Sequence, residues 1–388
     1  MSKKGKMSKL LVLMLVLGLL FTLFSGCGAG NKGGAAEEKP GQSGQQVADQ
    51  PKSGEVTASE DDIVIGISIG TLKQERWQRE IEMFEEYAKE HGFTVKVQSA
   101  EDDAQKQISQ CENLVTQGVD VLIVQALDSE AAGAVIEPAH EAGIPVIAYD
   151  RFVRNGDLDY YITFDSVKVG EVQAKFVTEN APKGNYIWLK GGPEDFNAHL
   201  VAQGHKNILQ PFIDRGDINI VLEQWCKGWD PTEALSHTEN GLTLAGNDIQ
   251  AVIASNDGTA GGAIQALAAQ GLAGKVPIAG QDADLAACQR IVEGIQTGTV
   301  YKPLKRLNTA AIQLAVALAK KQDGKTGIDS SLGVWTKLDN GTKEVDSFSV
   351  DVIAVDKNNM VDVIIKDGFH KLEDVYKNIP KDQWPKVD

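Results

Sequence analysis

The sequence predicts an α/β protein made of two doubly wound, parallel-sheet lobes joined by a hinge, and three observations predict it. Short β-branched, apolar runs alternate with segments of helical periodicity, which is the pattern of βαβ units with both faces of the sheet covered. The alternation restarts near residue 160. Two stretches also echo each other across the halves: residues 143–150 and residues 275–282 each form a strand that ends in an aspartate, Asp150 and Asp282.

Taken in order, 63–69 is a nearly continuous β-branched strand, and 77–90 is a helix with Ile81, Phe84, Tyr87 and Ala88 on one face. Strands at 93–97, 119–124 and 144–148 then alternate with helices at 108–116 and 130–141. In the second half, strands at 160–164, 185–189, 218–223, 251–254 and 276–279 enclose helices at 167–180, 199–212, 232–244 and 262–269. A helix at 308–320 and a strand at 347–355 close the chain, so its C-terminal part returns to both lobes. The expected division is 61–163 plus about 304–333 for the N-terminal lobe and 164–303 plus about 334–388 for the C-terminal lobe. The connections near Phe164-Asp165 and Tyr301-Pro303 would form the hinge.

The N-terminus sets the expected compartment. Lys3, Lys4, Lys6 and Lys9 precede an apolar run at 10–24 that is interrupted by Gly18 and Thr22 and followed by Ser25-Gly26-Cys27. The run is shorter than the ~20 residues of a spanning helix, so 1–26 reads as a secretory signal. Cys27 after Ser-Gly resembles a bacterial lipobox, with Phe24 where that motif usually has Leu; the alternative is a cleaved signal beside an incidental Cys. Residues 28–60 are mostly Gly, Ser, Gln, Lys, Glu and Ala without apolar periodicity, which makes 27–60 an acylated Cys and flexible tether. The expected location is extracytoplasmic, with a lipid anchor holding the protein to the membrane.

A net charge of −16 and a pI near 4.9 exclude a nucleic-acid partner, which requires a basic face. Cys111, Cys226 and Cys288 are too far apart for metal-ligand spacing or a disulfide framework, so no metal is expected. Gly66-x-Ser68-x-Gly70 matches a nucleophile elbow, but Ser68 sits between isoleucines inside a strand rather than on a strained turn. Gly324-Lys325-Thr326 lacks the upstream glycine of a phosphate loop, since Ala319 occupies that position. The six histidines are scattered. The chain reads as a non-enzyme without a cofactor.

In open α/β sheets, ligands bind beyond the carboxyl ends of the strands. Those ends carry Glu75-Arg76-Trp77, Asp150-Arg151, Asp195-Phe196-Asn197, Trp225, Trp229, Asn256-Asp257, Gln281-Asp282 and Tyr301-Lys302. Carboxylates, amides and guanidinium forks suit hydroxyls that both donate and accept, and indoles suit the apolar face of a sugar ring. Each residue also has a plainer role open to it. Trp77 fits a helix core face, Asp150 and Asp282 fit helix N-caps, and Asn256 fits a cap before Gly261-Gly262.

Several segments carry a closer resemblance. These are Leu72 to Gln78, Ala148 to Arg151, Ala254 to Asp257 with Thr259 to Leu267, Gly280 to Leu285, Val300 to Pro303 and Lys366 to His370. They resemble the type I periplasmic sugar-binding family of ABC transporters, over nearly all of the chain after the tether. The Asn-Asp-x-Thr-Ala-Gly-Gly stretch and the Gly-Gln-Asp turn are family-wide, whereas Glu-Arg-Trp-Gln and Tyr-Asp-Arg point to its xylose branch. The resemblance implies Arg76, Asp150, Arg151, Asn197, Asn256, Asp282 and Lys302 as hydrogen-bonding ligands of a monosaccharide, D-xylose, with Trp77 and Trp229 as stacking rings. Phe196 and His199, beside Asn197 on the second-lobe wall, depart from the family pattern, which has Asn and Lys there. The resemblance further implies a monomer that closes on its sugar and delivers it to an ABC transporter permease. A surface receptor signalling to a membrane histidine kinase is the alternative. Sugar-responsive repressors are excluded, because they carry a DNA-binding headpiece where this chain has a signal and a tether.

Overall fold

The computed structural model describes residues 63–387. The expected signal segment, Cys27 and the tether lie outside the described residues. Thirteen strands form two main sheets and one two-stranded pair among these residues. In the first half, β1 (Val64–Ile69), β2 (Thr94–Ser99), β3 (Val121–Gln125), β4 (Val146–Tyr149) and β5 (Tyr160–Phe164) alternate with α1 (Glu75–His91), α2 (Ala104–Thr116) and α3 (Ile136–Glu141). In the second half, β6 (Gly184–Lys190), β7 (Ile218–Trp225), β8 (Ala251–Ala254), β9 (Ile278–Ala279) and β10 (Thr299–Tyr301) alternate with α4 (Ser166–Asn180), α5 (Phe196–Asp214), α6 (Pro231–Leu244), α7 (Asp257–Ala269) and α8 (Leu285–Val292). The chain continues with α9 (Leu304–Ala319), β11 (Val334–Asp339), β12 (Glu344–Val350) and β13 (Ile353–Val355).

The first sheet has the order β11-β12-β5-β4-β3-β1-β2 and is parallel except for β11. The second, β7-β6-β8-β9, is parallel throughout, and a bridge from Ala279 to Gly298 leads on to the antiparallel pair β10-β13. Strands buried on both faces must be apolar along their whole length, which is why β1, β3 and β8 read as continuous runs rather than alternations. On α1 the buried positions are Arg76, Trp77, Glu80, Phe84 and Ala88, spaced to form one stripe, while Ile81 and Tyr87 lie at its margin. Burying the Phe84 ring contributes roughly 1.5–3 kcal/mol. α9 carries the chain back to the first lobe, where Leu307, Ala311 and Leu314 join the same core as α1 and β1.

One boundary departs from the expected division. Residues 334–350 belong to the first lobe, because β12 pairs with β5 (Ser347 opposite Tyr161) and β11 pairs with β12. The stretch 347–355 holds no Gly or Pro, and Asp351 is the single charged residue in an otherwise strand-like run, so it reads as one strand. In the structure it leaves the first sheet at Val350, passes exposed Asp351, and pairs with β10 from Ile353. The chain therefore crosses between lobes three times: after β5, after β10 and after β12.

Candidate functional site

Residues that follow the carboxyl ends of strands from both lobes line one cleft. Gln74, Arg76 and Trp77 follow β1, Asp150 and Arg151 follow β4, and Ser166 follows β5. From the second lobe come Asp195, Asn197 and Val201, then Trp229, Asn256, Gln281 and Asp282, with Lys302 at the crossing after β10. All nine residues singled out from the sequence as sugar ligands lie in this lining.

The backbone is shaped for the site. Asp150, Asp282 and Trp229 have φ of 57°, 95° and 57°, a region that costs non-glycine residues of order 1–3 kcal/mol and that clusters at functional positions. The aspartates that follow the two echoing strands thus both stand at positive φ. Neither aspartate caps a helix. Asn256 does: its Oδ1 accepts from the Thr259 amide at 2.8 Å, which leaves its Nδ2 for the cleft. Trp229 needs Gly191 beneath it, since a Cβ there would lie 2.5 Å from the indole.

Charges in the cleft are paired. Arg76 Nη2 donates to Asp150 Oδ2 at 2.8 Å, and its Nη1 lies 3.5 Å from Asp282 Oδ1. Arg151 Nε lies 3.0 Å from Asp195 Oδ2, and Lys302 Nζ lies 3.3 Å from Asp282 Oδ1. Asp282 Oδ1 thus has two cations within ion-pair range, yet it accepts no hydrogen bond of proper direction. That leaves an acceptor facing the cleft. Burial works against the Asp150 carboxylate, but Arg76, Lys302 and Arg151 outweigh it and hold the group below the usual carboxylate range. At Asp195 burial wins over Arg151 and pushes the carboxyl up.

Trp77, 2 % exposed, is held by its Nε1 donating to Gln74 Oε1 at 2.7 Å and carries the Arg76 guanidinium 4.2 Å from its ring. Trp229 Nε1 donates to Asp195 Oδ2 at 3.2 Å. Asn197 reaches across to the first lobe: its Nδ2 donates to the Asp150 carbonyl at 2.6 Å, and Tyr161 donates to its Oδ1 at 3.0 Å.

Three residues near the expected site stand elsewhere. Phe196 packs against the first-lobe core beside Phe152, outside the cleft lining. His199 is exposed and accompanies Trp225 at 4.6 Å, and Trp225 lies against Lys190. The two departures from the family pattern therefore fall on the seam between the lobes and its rim. Gln74, Ser166, Asp195, Val201 and Gln281 join the lining without having been assigned a role. Asp195 and Gln281 sit at strand ends where the same rule finds them, whereas Ser166 and Val201 lie within helices and carry no local signal.

A family model described as a periplasmic binding protein domain matches residues 65–324. The D-xylose-binding periplasmic protein of Haemophilus influenzae is 47% identical over 82% of this chain and 94% of its own length. The protein of the same name from Escherichia coli is 46% identical over 81% of this chain and 93% of its own. Among solved structures, a carbohydrate transporter solute-binding protein from Chloroflexus aurantiacus in complex with D-glucose aligns with a TM-score of 0.74 at 31% identity. That alignment covers 81% of this chain and 98% of the other.

Proposed function

This chain belongs to the periplasmic binding protein family, and from that premise we propose that it is the extracytoplasmic receptor of a sugar importer, capturing D-xylose and delivering it to an ABC transporter permease. The observation that carries the reading is the near-half identity, over almost their full length, to two proteins named for D-xylose binding. The chemistry of the cleft supports it. Arg76, Asp150, Arg151, Asn197, Asn256, Asp282 and Lys302 are the proposed hydrogen-bonding groups, and Trp77 and Trp229 the proposed stacking faces. Hydrogen bonds to charged groups contribute about 1.5–3 kcal/mol each, so a few of them hold a small neutral ligand firmly. Paired charges also suit a neutral sugar, because the ligand need not neutralise any of them.

The proposed mechanism is closure. Each lobe supplies part of the ligand shell, so a sugar that bridges both binds the closed arrangement better and shifts the population toward it. The permease then meets the closed form. We place the protein on the outer face of the membrane through acylated Cys27, as a monomer with no catalytic step of its own. Replacing Cys27 with Ala should release it from the membrane fraction.

The test of the function is a thermal-unfolding screen against D-xylose, D-glucose, L-arabinose and D-ribose. Ligand at 100 times its dissociation constant adds about 2.7 kcal/mol, a shift of several degrees. A shift with D-xylose supports the assignment. A shift with another sugar alone keeps the receptor and discards D-xylose, and no shift at all discards both.

A further inference from the structure

Behind the cleft stands a carboxylate that lines nothing. Glu80 lies four residues after Arg76 on the same face of α1, and its side chain is wholly buried. Its Oε1 accepts from Arg76 Nε at 2.7 Å, and its Oε2 accepts from the Tyr149 hydroxyl. Its carbonyl accepts from Asn308 Nδ2 on α9 at 3.2 Å, which fixes this turn of α1 from the other side. Burial pushes the Glu80 carboxyl above its ordinary range despite Arg76, so keeping a charge here is costly. A buried ion pair is frequently no more stabilising than apolar side chains of the same volume. Stability alone therefore gives this pair little reason to exist.

We propose that Glu80, braced by Tyr149, is the positioning residue that holds Arg76 oriented toward the sugar, an inference that rests on the sugar-binding reading above. A guanidinium is a rigid plane, so fixing two of its nitrogens fixes the third. Glu80 takes Nε and Asp150 takes Nη2, both within the first lobe, which aims Nη1 at the cleft and at Asp282 of the second lobe. When the lobes part, Asp282 leaves with the second lobe while Glu80 and Asp150 stay. Arg76 thus remains charged and aimed before any ligand arrives, which lowers the ordering cost of binding.

The experiment is calorimetric titration with D-xylose of the wild-type protein, Glu80→Gln and Tyr149→Phe, together with ¹⁵N spectra of the arginine Nε–H region. The Arg76 signal is identified by its loss in Arg76→Lys. The wild type should show an exchange-protected Arg76 Nε–H without sugar. Glu80→Gln should lose that protection and bind about tenfold more weakly, and Tyr149→Phe, which keeps the charge, about threefold more weakly. Unchanged affinity in Glu80→Gln overturns the proposal, as does weakened binding with the Nε–H protection intact. If Glu80→Gln does not fold, Tyr149→Phe decides by the same two readouts. Failure of the wild type to bind D-xylose removes the functional reading instead, and the Nε–H signature then decides the positioning role alone.

Discussion

Replacing Phe196 with alanine tests whether lobe closure, and not sugar contact alone, sets affinity. Phe196 opens α5 in the second lobe, yet its ring packs on the first-lobe core, 6.2 Å from Phe152 and with the Arg154 guanidinium 4.0 Å from its centre. Its amide donates to Ser129 Oγ at 3.0 Å, and the Ser129 amide donates to the Glu194 carbonyl at 2.9 Å. These contacts form only when the lobes meet. Full burial of such a ring contributes roughly 1.5–3 kcal/mol, and Phe196 is half-buried, so about 1 kcal/mol belongs to closure. The cation–π contact adds about 0.5–1 kcal/mol. The closed form therefore loses about 1.5–2 kcal/mol, and sugar affinity falls about 10- to 30-fold. Because Phe196 lies outside the lining, D-xylose and any second sugar that binds should lose the same factor. Isothermal titration of both sugars against wild type and variant measures this. A loss below about twofold, or one that differs between sugars by more than about threefold, refutes the reasoning.

Two further outcomes follow from buried charge. His205 accepts from Trp188 Nε1 at its Nδ1 (3.0 Å) and gives its Nε2 proton to Gln173 Oε1 (2.8 Å), and burial lowers its pKa to about 3. The unfolded chain protonates near 6.5, so this residue's contribution is complete above that pH and is lost as pH falls toward 3, at up to about 1.4 kcal/mol per unit. Melting scans at pH 6.5 and pH 4.5 should show about 2–3 kcal/mol less acid sensitivity in His205→Gln than in wild type; equal sensitivity would mean the ring is not held neutral. Asp150→Asn removes the charged acceptor of Arg76 and should weaken D-xylose binding by about 1.5–3 kcal/mol, roughly 10- to 150-fold. Wild-type affinity within a few-fold would take Asp150 out of the binding set.

Much of the fold was legible because buried parallel strands must be apolar. β5 and β8 begin and end where the apolar runs do. Helix starts were less legible. Asp195 caps α5 and Asn256 caps α7, so both helices begin before the apolar periodicity does, and glycines 258, 261 and 262 hide the first turns of α7. The elements α8 and β10 are short, eight and three residues, so α8's amphipathic face and β10's apolar run give little to read; they are fixed by packing on Met360 and Ile364 and by pairing with β13. The placement of β11 and β12 depends on pairing with β5, a long-range choice that no local signal encodes. The cleft lining was legible through a topological rule, since ligand groups stand at strand ends. Glu80 was not, because a glutamate on an amphipathic helix looks like surface until the fold buries it.

The most direct test is calorimetric titration of the purified protein with D-xylose beside Asp282→Asn, a substitution that suits the φ of 95° better than alanine would. The account predicts saturable one-to-one binding to the wild type. It also predicts a large loss of affinity in the variant, with melting of the unliganded protein little changed. Binding of D-xylose at equal strength to both would place the sugar outside this cleft and contradict the account.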